Sequence, residues 1–364
     1  MKNIQISLVS KEALPVYYMI NEFLPDCIYL LGTNETGNVA KNIERIIQKN
    51  GMQCIKRIVP ANDMASCMQA CEQIHQENGN DCEYRYNLTC GTKLMAFGAL
   101  LCAQSHQAKI VYTDTTTYVD FDTMEHKQMS RFLDTATIFE LQGQKVKEKT
   151  VHTLDAQRTE CAKEIESFII NHRKTYGTLA RWYRENKQLP RTFDYGEIHY
   201  ERNSSGSITI EEDNVEVFYS DYPDAFKMLL EGRWWETLVA DAVYKWAGEE
   251  HEVWTSVIFN PVQNPSQENV KNEIDVLVNV KNTLLFIECK SGYFEQNNIY
   301  KLKSVRETYG SYKSKGVIIA FNRNNVKEGF EEKGRENNIH IIVPRHNLSN
   351  LSEILNKIIK SQNA

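Results

Sequence analysis

No run of about 18 apolar residues, the length that spans a bilayer, occurs in this chain of 364 residues. A helical membrane anchor is therefore not expected, and the reading is a protein without a membrane. The opening stretch MKNIQISLVS is too short in apolar residues for a signal peptide and lacks a small-residue cleavage site, so it predicts a first strand. No CxxC and no recurring paired spacing occur among the nine cysteines, an odd number. Most lie in apolar segments, as Cys27 and Cys102 do, which predicts reduced, buried thiols and a cytoplasmic protein. Positive charge is not in excess either: 42 Lys and Arg against 48 Asp and Glu leave a net charge of −6. A globally basic nucleic-acid binder is excluded, but a local basic groove is not. Internal repeats and low-complexity tracts are absent.

What is present is an ordinary globular composition, 41% hydrophobic and 25% charged, long enough for two or three domains. Over residues 1–125, short apolar runs (Ile4–Val9, Asp26–Leu31, Met52–Val59, Lys109–Tyr112) alternate with helical patterns (Ala13–Phe23, Val39–Gln48, Asp63–His75, Thr92–His106). That alternation predicts an α/β domain with a mostly parallel sheet, whose ligand sits at the carboxyl ends of its strands. Residues 150–190 turn charged and helical, and 197–219 alternate around Ser-Ser-Gly-Ser as a hairpin does. A second α/β block begins near 224. The expected domains are 1–145, a helical and hairpin connector over 146–223, and 224–364.

Within 171–191, six Lys and Arg stand against one Glu, with Tyr176, Trp182 and Tyr183 interleaved. Such a stretch suits a single-stranded nucleic acid, and it equally describes a solvated helix face.

The C-terminal block carries a chemical pattern. Glu236 lies near the start of a helical segment, 232–248, in which Trp235, Leu238, Val239 and Ala242 recur at helical spacing. Asp275 interrupts the strand-like EIDVLVNV, a turn follows at Lys281–Asn282, and TLLFIECK ends in Glu288-Cys289-Lys290. Buried carboxylates require a partner or a metal, and carboxylates with open water positions suit Mg²⁺ or Mn²⁺. Period-two alternation places Glu288 and Lys290 on one face, where the lysine can orient water and meet charge on a phosphorane-like transition state. A lone E-x-K is more often an ion pair on a strand. A helix Glu, a strand Asp and an E-x-K closing the next strand form a far more specific set.

That set resembles the PD-(D/E)xK restriction-endonuclease-like superfamily over residues 225–364, with Ile274-Asp275 in place of Pro-Asp. The resemblance implies a divalent-metal-dependent endonuclease with Glu236, Asp275, Glu288 and Lys290 as catalytic residues. It implies metal ligation by Glu236, Asp275, Glu288 and the main-chain carbonyl of Cys289. The helix Ile299–Ser314 and strand Gly316–Phe321 would complete its core, and nine Lys and Arg against five Glu over 299–338 offer a basic surface.

At the other end, two loops are unlike plain connectors: Val9-Ser10-Lys11 after the first strand, and Asn87-Leu88-Thr89-Cys90-Gly91-Thr92-Lys93 before a helix. Glycine beside hydroxyls at a helix start offers free amide donors for an anion. Neither the G-x-x-x-x-G-K nor the G-x-G-x-x-G spacing is present. Ser10 and Thr92 are each also natural helix caps. The turn Asp114–Thr117 would line the same edge. Residues 1–140 resemble the CARF domain, a Rossmann-like sensor of type III CRISPR systems. The resemblance implies a homodimer that binds cyclic tetra-adenylate through Ser10, Lys11, Asn87, Thr89, Gly91, Thr92 and Lys93.

The two resemblances together imply a CRISPR ancillary nuclease, activated by cyclic tetra-adenylate, that uses Mn²⁺ or Mg²⁺ to cut single-stranded RNA, DNA or both with little sequence specificity. Three alternatives remain: a sensor that degrades its activator, one that only binds it, and a nuclease for duplex DNA. The intact acidic set speaks against a bare sensor.

Overall fold

The computed structural model describes residues 1–186, 190–204, 206–260, 272–345 and 348–361. They form two compact units. The first comprises Met1–Lys147 with Phe259, Asn260 and Asn279–Thr283; the second comprises 148–258, 272–278 and 284–361.

In the first unit, strands β1 (Lys2–Leu8), β2 (Cys27–Gly32), β3 (Gln53–Ile58), β4 (Cys82–Asn87) and β5 (Lys109–Thr113) alternate with helices α1 (Leu14–Phe23), α2 (Gly37–Lys49), α3 (Met64–Asn78) and α4 (Lys93–Ser105). A short hairpin, β6 (Thr117–Asp120) and β7 (Glu125–Gln128), and helix α5 (Thr135–Leu141) complete it. The sheet order is β3-β2-β1-β4-β5-β6-β7. Its first five strands are parallel, and β6 and β7 join antiparallel. Helices cover the central strands, so those strands read as continuous apolar runs: every residue of β2 is buried, as are Ile4, Ile6 and Leu8 of β1. On α2, Ala40, Ile43, Ile46 and Ile47 turn inward at helical spacing, and the polar face is left to solvent. Asp63, Thr92 and Asp134 cap α3, α4 and α5 through side-chain oxygens. The predicted strands and helices fall here within a few residues of their expected bounds.

The strand order reverses between β1 and β4, the place where open parallel sheets leave a ligand crevice beyond their carboxyl ends. The two unusual loops leave these same two neighbouring strands.

The chain continues through β8 (Val146–Val151), α6 (Ala156–Asn171) and α7 (Arg173–Asn186), then β9 (Thr192–Tyr195), β10 (Ile198–Arg202), β11 (Ile208–Glu212) and β12 (Val215–Ser220). Where one hairpin was expected, these last four make an antiparallel sheet in the order β12-β11-β10-β9. Next come α8 (Ala225–Glu231), α9 (Arg233–Ala247), β13 (Val253–Phe259), β14 (Asn272–Val280), β15 (Thr283–Lys290), α10 (Gln296–Tyr309), β16 (Lys315–Ala320), α11 (Phe330–Glu336), β17 (Ile339–Ile342) and α12 (Leu351–Lys360). The third sheet has the order β17-β16-β15-β14-β13-β8, with β15, β16 and β17 parallel. Every residue of β15 but Lys290 is buried. The polar loop expected between Phe259 and Glu273 lies almost wholly outside the described residues.

Strands β14 and β15 are joined by Lys281 and Asn282, both left-handed at φ 51° and 66°, as a two-residue hairpin requires. Asn282 is 1% exposed. Its Nδ2 donates to the Thr115 carbonyl at 3.0 Å, and its Oδ1 accepts from Leu133 N–H at 2.8 Å. Asn279 Nδ2 donates to the Leu133 carbonyl at 2.7 Å. This hairpin tip thus belongs to the first unit, while the stems of the hairpin belong to the second.

In the loop after β4, Gly91 has φ +82°, and a Cβ there would lie 3.0 Å from the Leu8 Cβ on β1. Gly91→Ala is expected to lower the stability of the first unit by about 1–2 kcal/mol, the left-handed cost of an L-residue. Denaturant unfolding followed by a probe in that unit reads the loss, and an unchanged midpoint would show that the loop relaxes freely.

Candidate functional site

Aromatic packing fixes the start of α9. Trp234 and Trp235 meet Phe321 with ring centroids 4.8 and 5.2 Å apart. Trp235 Nε1 donates to the Ile319 carbonyl of β16 at 3.0 Å. Phe321 N–H in turn donates to the Lys290 carbonyl at 2.8 Å. These contacts set Glu236, in the first turn of α9, against the end of β15. Gly232 allows the close approach: a Cβ there would fall 2.7 Å from Ser291 Oγ. The helix is buried on more sides than the single stripe expected, with Trp234, Thr237 and Asp241 enclosed, whereas Ala242 is only half-buried.

The four residues singled out in this block come together. Asp275 Oδ2 accepts the Cys289 N–H at 2.7 Å, and Lys290 Nζ donates to Glu288 Oε1 at 2.6 Å. Burial raises the Glu236 carboxyl above its ordinary range; Arg233 opposes the shift, and Glu273 and Glu288 add to it. Asp275 is pushed up further, again first by burial and then by Glu288 and Glu236. Burial alone would depress Lys290, but the Glu288 carboxylate outweighs it and holds the ammonium charged. Burial and the neighbouring carboxylates keep the Cys289 thiol protonated. Crowded carboxylates that resist ionisation in the absence of a cation are what an all-oxygen site for a hard divalent ion requires. The residues present fit such an ion: Glu236, Asp275 and Glu288 as donors, with the Cys289 main chain beside them.

A polar cavity of about 460 Å³ opens at Glu236 and is lined also by Arg158, Arg233, Glu273, Thr255 and Ser256. Glu273 carries a signal that the sequence reading passed over: two residues before Asp275, it shares that residue's strand face. Arg233, one turn before Glu236 on α9, was equally readable. Ser256, in the left-handed region at φ 50°, and Arg158, from α6, left no sequence mark. A larger cavity of about 740 Å³, lined by Lys163, Glu166, Asp241 and Lys245, holds none of the four expected residues.

The basic stretch 171–191 is described apart from residues 187–189. Its aromatics are occupied in packing: Trp182 lies against Phe193 at 4.9 Å, and Tyr183 against Phe226 at 5.8 Å. Trp182 and Tyr183 are therefore not free stacking platforms, and Arg173–Asn186 is a helix with an exposed basic face. Part of the basic surface over 299–338 is likewise engaged, since Arg306 pairs with Glu307, Arg323 with Glu331 and Lys333 with Glu336.

At the β1–β4 edge the side chains divide into two groups. Asn87 is buried; its Nδ2 donates to the Pro15 carbonyl at 3.0 Å, and its Oδ1 accepts Thr89 Oγ1–H at 2.5 Å. Thr89 Oγ1 also accepts Thr113 N–H at 2.8 Å. Thr92 Oγ1 caps α4 and donates to the Ala61 carbonyl, and Ser10 Oγ accepts Glu12 N–H at 3.2 Å. These side chains hold the loops in shape. Lys11 and Lys93 are exposed and make no hydrogen bond or ion pair among the described residues. They are the groups free to meet an anion.

A third group, His75, Cys102 and His106, brings ligand atoms within 4.8 Å of one another. The two imidazoles stack in parallel, 3.8 Å apart and 8° from coplanar, so their in-plane lone pairs do not converge on one ion. His106 instead meets Glu72 at 2.8 Å, and His75 meets the Tyr86 hydroxyl at 2.9 Å.

Among solved structures the chain is similar to Can2 from Sulfobacillus thermosulfidooxidans in complex with cyclic tetra-adenylate, at 19% identity and a TM-score of 0.74 over 99% of this chain and all of that one. It is similar to protein VC1899 from Vibrio cholerae, at 16% identity and a TM-score of 0.74 over 99% of each chain. It also resembles a type III CRISPR defence DNA nuclease activated by cyclic oligoadenylate, at 15% identity and a TM-score of 0.55, over 88% of this chain and 45% of that one. These likenesses concern the fold. No curated protein sequence matches the chain. The Card1 CARF domain family matches residues 4–141, and the Card1-like endonuclease domain family matches residues 224–361. The chain thus joins a Card1 CARF domain to a Card1-like endonuclease domain.

Proposed function

We propose that this protein is a CRISPR nuclease of PD-(D/E)xK type that stays idle until cyclic tetra-adenylate binds its CARF domain, and then cuts single-stranded RNA or DNA with little sequence preference. The observation that carries the reading is the convergence of Glu236, Asp275, Glu288 and Lys290 around Asp275, with Asp275 and Glu236 both raised. The ligand assignment is supported by Can2, which was solved with cyclic tetra-adenylate, and by Lys11 and Lys93 at the crevice. The nine cysteines, all free, support a reducing, cytoplasmic setting. Among the described residues no helix is long and apolar enough to cross a membrane.

Phosphodiester hydrolysis adds a water oxygen to phosphorus as a bridging P–O bond breaks. A Mn²⁺ or Mg²⁺ ion held by Glu236, Asp275, Glu288 and the Cys289 carbonyl would supply Lewis-acid polarisation and a more acidic water. Asp275 is aimed by the Cys289 N–H, so its free oxygen stays available. Lys290, held charged, lies where it can orient water and meet the negative charge that develops on the phosphoryl oxygens. The low-dielectric surroundings strengthen that interaction.

A homodimer is supported by an apolar stripe on the CARF domain. Leu94, Phe97 and Leu101 recur on α4 and are 41%, 55% and 45% exposed, and Ile58 at the end of β3 and Met64 at the start of α3 are exposed too. A two-fold arrangement would match a cyclic ligand of repeating units. Activation is supported by the hairpin whose tip is held at Thr115 and Leu133 and whose stems carry Asp275 and Glu288. A ligand that favours one setting of the Asp114–Thr117 turn would bias that hairpin.

Labelled single- and double-stranded RNA and DNA, incubated with and without cyclic tetra-adenylate, test the reading. Cleavage of single strands only with the activator supports it, and exclusive cutting of duplex DNA would favour the alternative. Lys290→Ala and Glu288→Gln are each expected to slow cutting at least about 10²-fold while activator binding is retained, and EDTA should stop it until Mn²⁺ or Mg²⁺ is restored. Normal cutting by Lys290→Ala would remove the site assignment. Lys93→Ala should raise the activator concentration for half-maximal cutting about tenfold, the weight of one charge-assisted hydrogen bond; an unchanged dose response would move the sensor site elsewhere.

A further inference from the structure

Arg158 sits at the third position of α6, where Asp155 caps the helix by accepting Gln157 N–H and Arg158 N–H at 3.0 and 3.1 Å. A cation is disfavoured there, because the first turn of a helix carries partial positive charge and selects acidic residues. Positions that break a local rule concentrate at functional or strained sites. The side chain is nevertheless held in place. Its Nε donates to Thr237 Oγ1 at 3.0 Å, and the same hydroxyl donates to the Arg233 carbonyl at 2.9 Å. Thr237 is 1% exposed and follows Glu236 on α9. The guanidinium is thereby tied to the helix that carries an acid of the proposed cleavage site.

Arg158 lines the 460 Å³ cavity beside Glu236. The cavity's other arginine, Arg233, is paired with Glu231 at 2.9 Å. The terminal nitrogens of Arg158 make no hydrogen bond or ion pair among the described residues, although Asp224, Glu231, Glu236 and Glu273 line the same cavity. A guanidinium fixed through Nε presents two parallel N–H donors, a fork that matches two oxygens of one phosphate. The carboxylates around it would bind cations and repel the substrate backbone, so a phosphate held there needs a cation of its own.

We propose that Arg158 is a positioning residue that grips a backbone phosphate of the polynucleotide next to the scissile one and so seats the strand over the acidic cluster. The proposal rests on the nuclease reading above. The chemical class of its ligand is a phosphodiester of a nucleic-acid chain, held through the backbone and not through a base, which agrees with cutting that ignores sequence.

The test uses the full-length protein with cyclic tetra-adenylate, Mn²⁺ and a fluorescent single strand, comparing wild type with Arg158→Ala and Arg158→Lys over a series of salt concentrations. Arg158→Ala should raise KM about ten- to hundred-fold with kcat within about threefold. The slope of log KM against log salt should become shallower by about 0.7, the share of one phosphate contact on a single strand. Arg158→Lys should restore the salt slope and only part of the KM, since a point charge replaces a fork. A merely structural arginine would lower kcat and thermal stability and leave the salt slope as in wild type, and that result overturns the proposal, as does an Arg158→Ala protein indistinguishable from wild type. If wild type itself fails to cut any strand, the nuclease reading falls as well, so the two failures are told apart.

Discussion

Three acidic side chains held among apolar residues at the end of a buried hairpin are an electrostatic cost that the rest of the second unit is arranged to sustain. Asp275 and Glu288 stand on strands rich in buried aliphatic residues, and Glu236 arrives from a helix whose own Trp234 and Trp235 are buried. Left to themselves, carboxylates in such surroundings take up protons, and both Asp275 and Glu236 shift that way. Lys290 offsets both, Arg233 offsets Glu236, and the Cys289 N–H offsets Asp275. The cost is maintained by packing: the Trp234–Trp235–Phe321 contacts and the Trp235 hydrogen bond to β16 give Glu236 no room to withdraw. A fold that concentrates more carboxylates than cations in a low-dielectric place holds a binding energy for cations ready in advance.

The first unit solves a different problem with similar means. Its two unusual loops leave the strands at which the order reverses, and most of their polar side chains are spent on the loops themselves. Asn87, Thr89 and Thr92 tie the second loop to Pro15, Thr113 and Ala61, while Lys11 and Lys93 stay exposed. Rigid loops with free donors lose little entropy on meeting a ligand. The turn that follows β5 is held by the tip of the β14–β15 hairpin, so the hairpin that carries Asp275 and Glu288 makes its turn within the first unit.

Much of this was legible in the sequence because it rests on local periodicity. Strand β15 and the Lys281–Asn282 turn fall where alternation places them, and the helices of the first unit follow their apolar spacing and caps. The Glu288–Lys290 pair follows from the two-residue repeat of a strand. What was not legible depends on partners distant in the chain. The four-stranded sheet over Thr192–Ser220 showed only its central alternation, because its outer strands are short and largely exposed. Tyr176, Trp182 and Tyr183 read as stacking platforms until Phe193 and Phe226 were seen to occupy two of them. Hydroxyls in the Asn87–Lys93 loop read as ligand contacts, and tertiary hydrogen bonds claim them. Arg158 reaches Thr237, 79 residues away, and no pattern along the chain could announce it.

If the clustered carboxylates are a cation site, the ion must compete with protons drawn to the same buried oxygens. Titration calorimetry of Mn²⁺ into the full-length protein over a series of falling pH values measures this directly. Because burial raises the folded Asp275 and Glu236 above their ordinary ranges, Mn²⁺ affinity should fall as the solution is acidified, with protons competing for the same oxygens. Glu288→Gln should abolish the binding heat. Mn²⁺ affinity that does not change on acidification, or binding that persists unchanged in Glu288→Gln, would show that these carboxylates hold no cation.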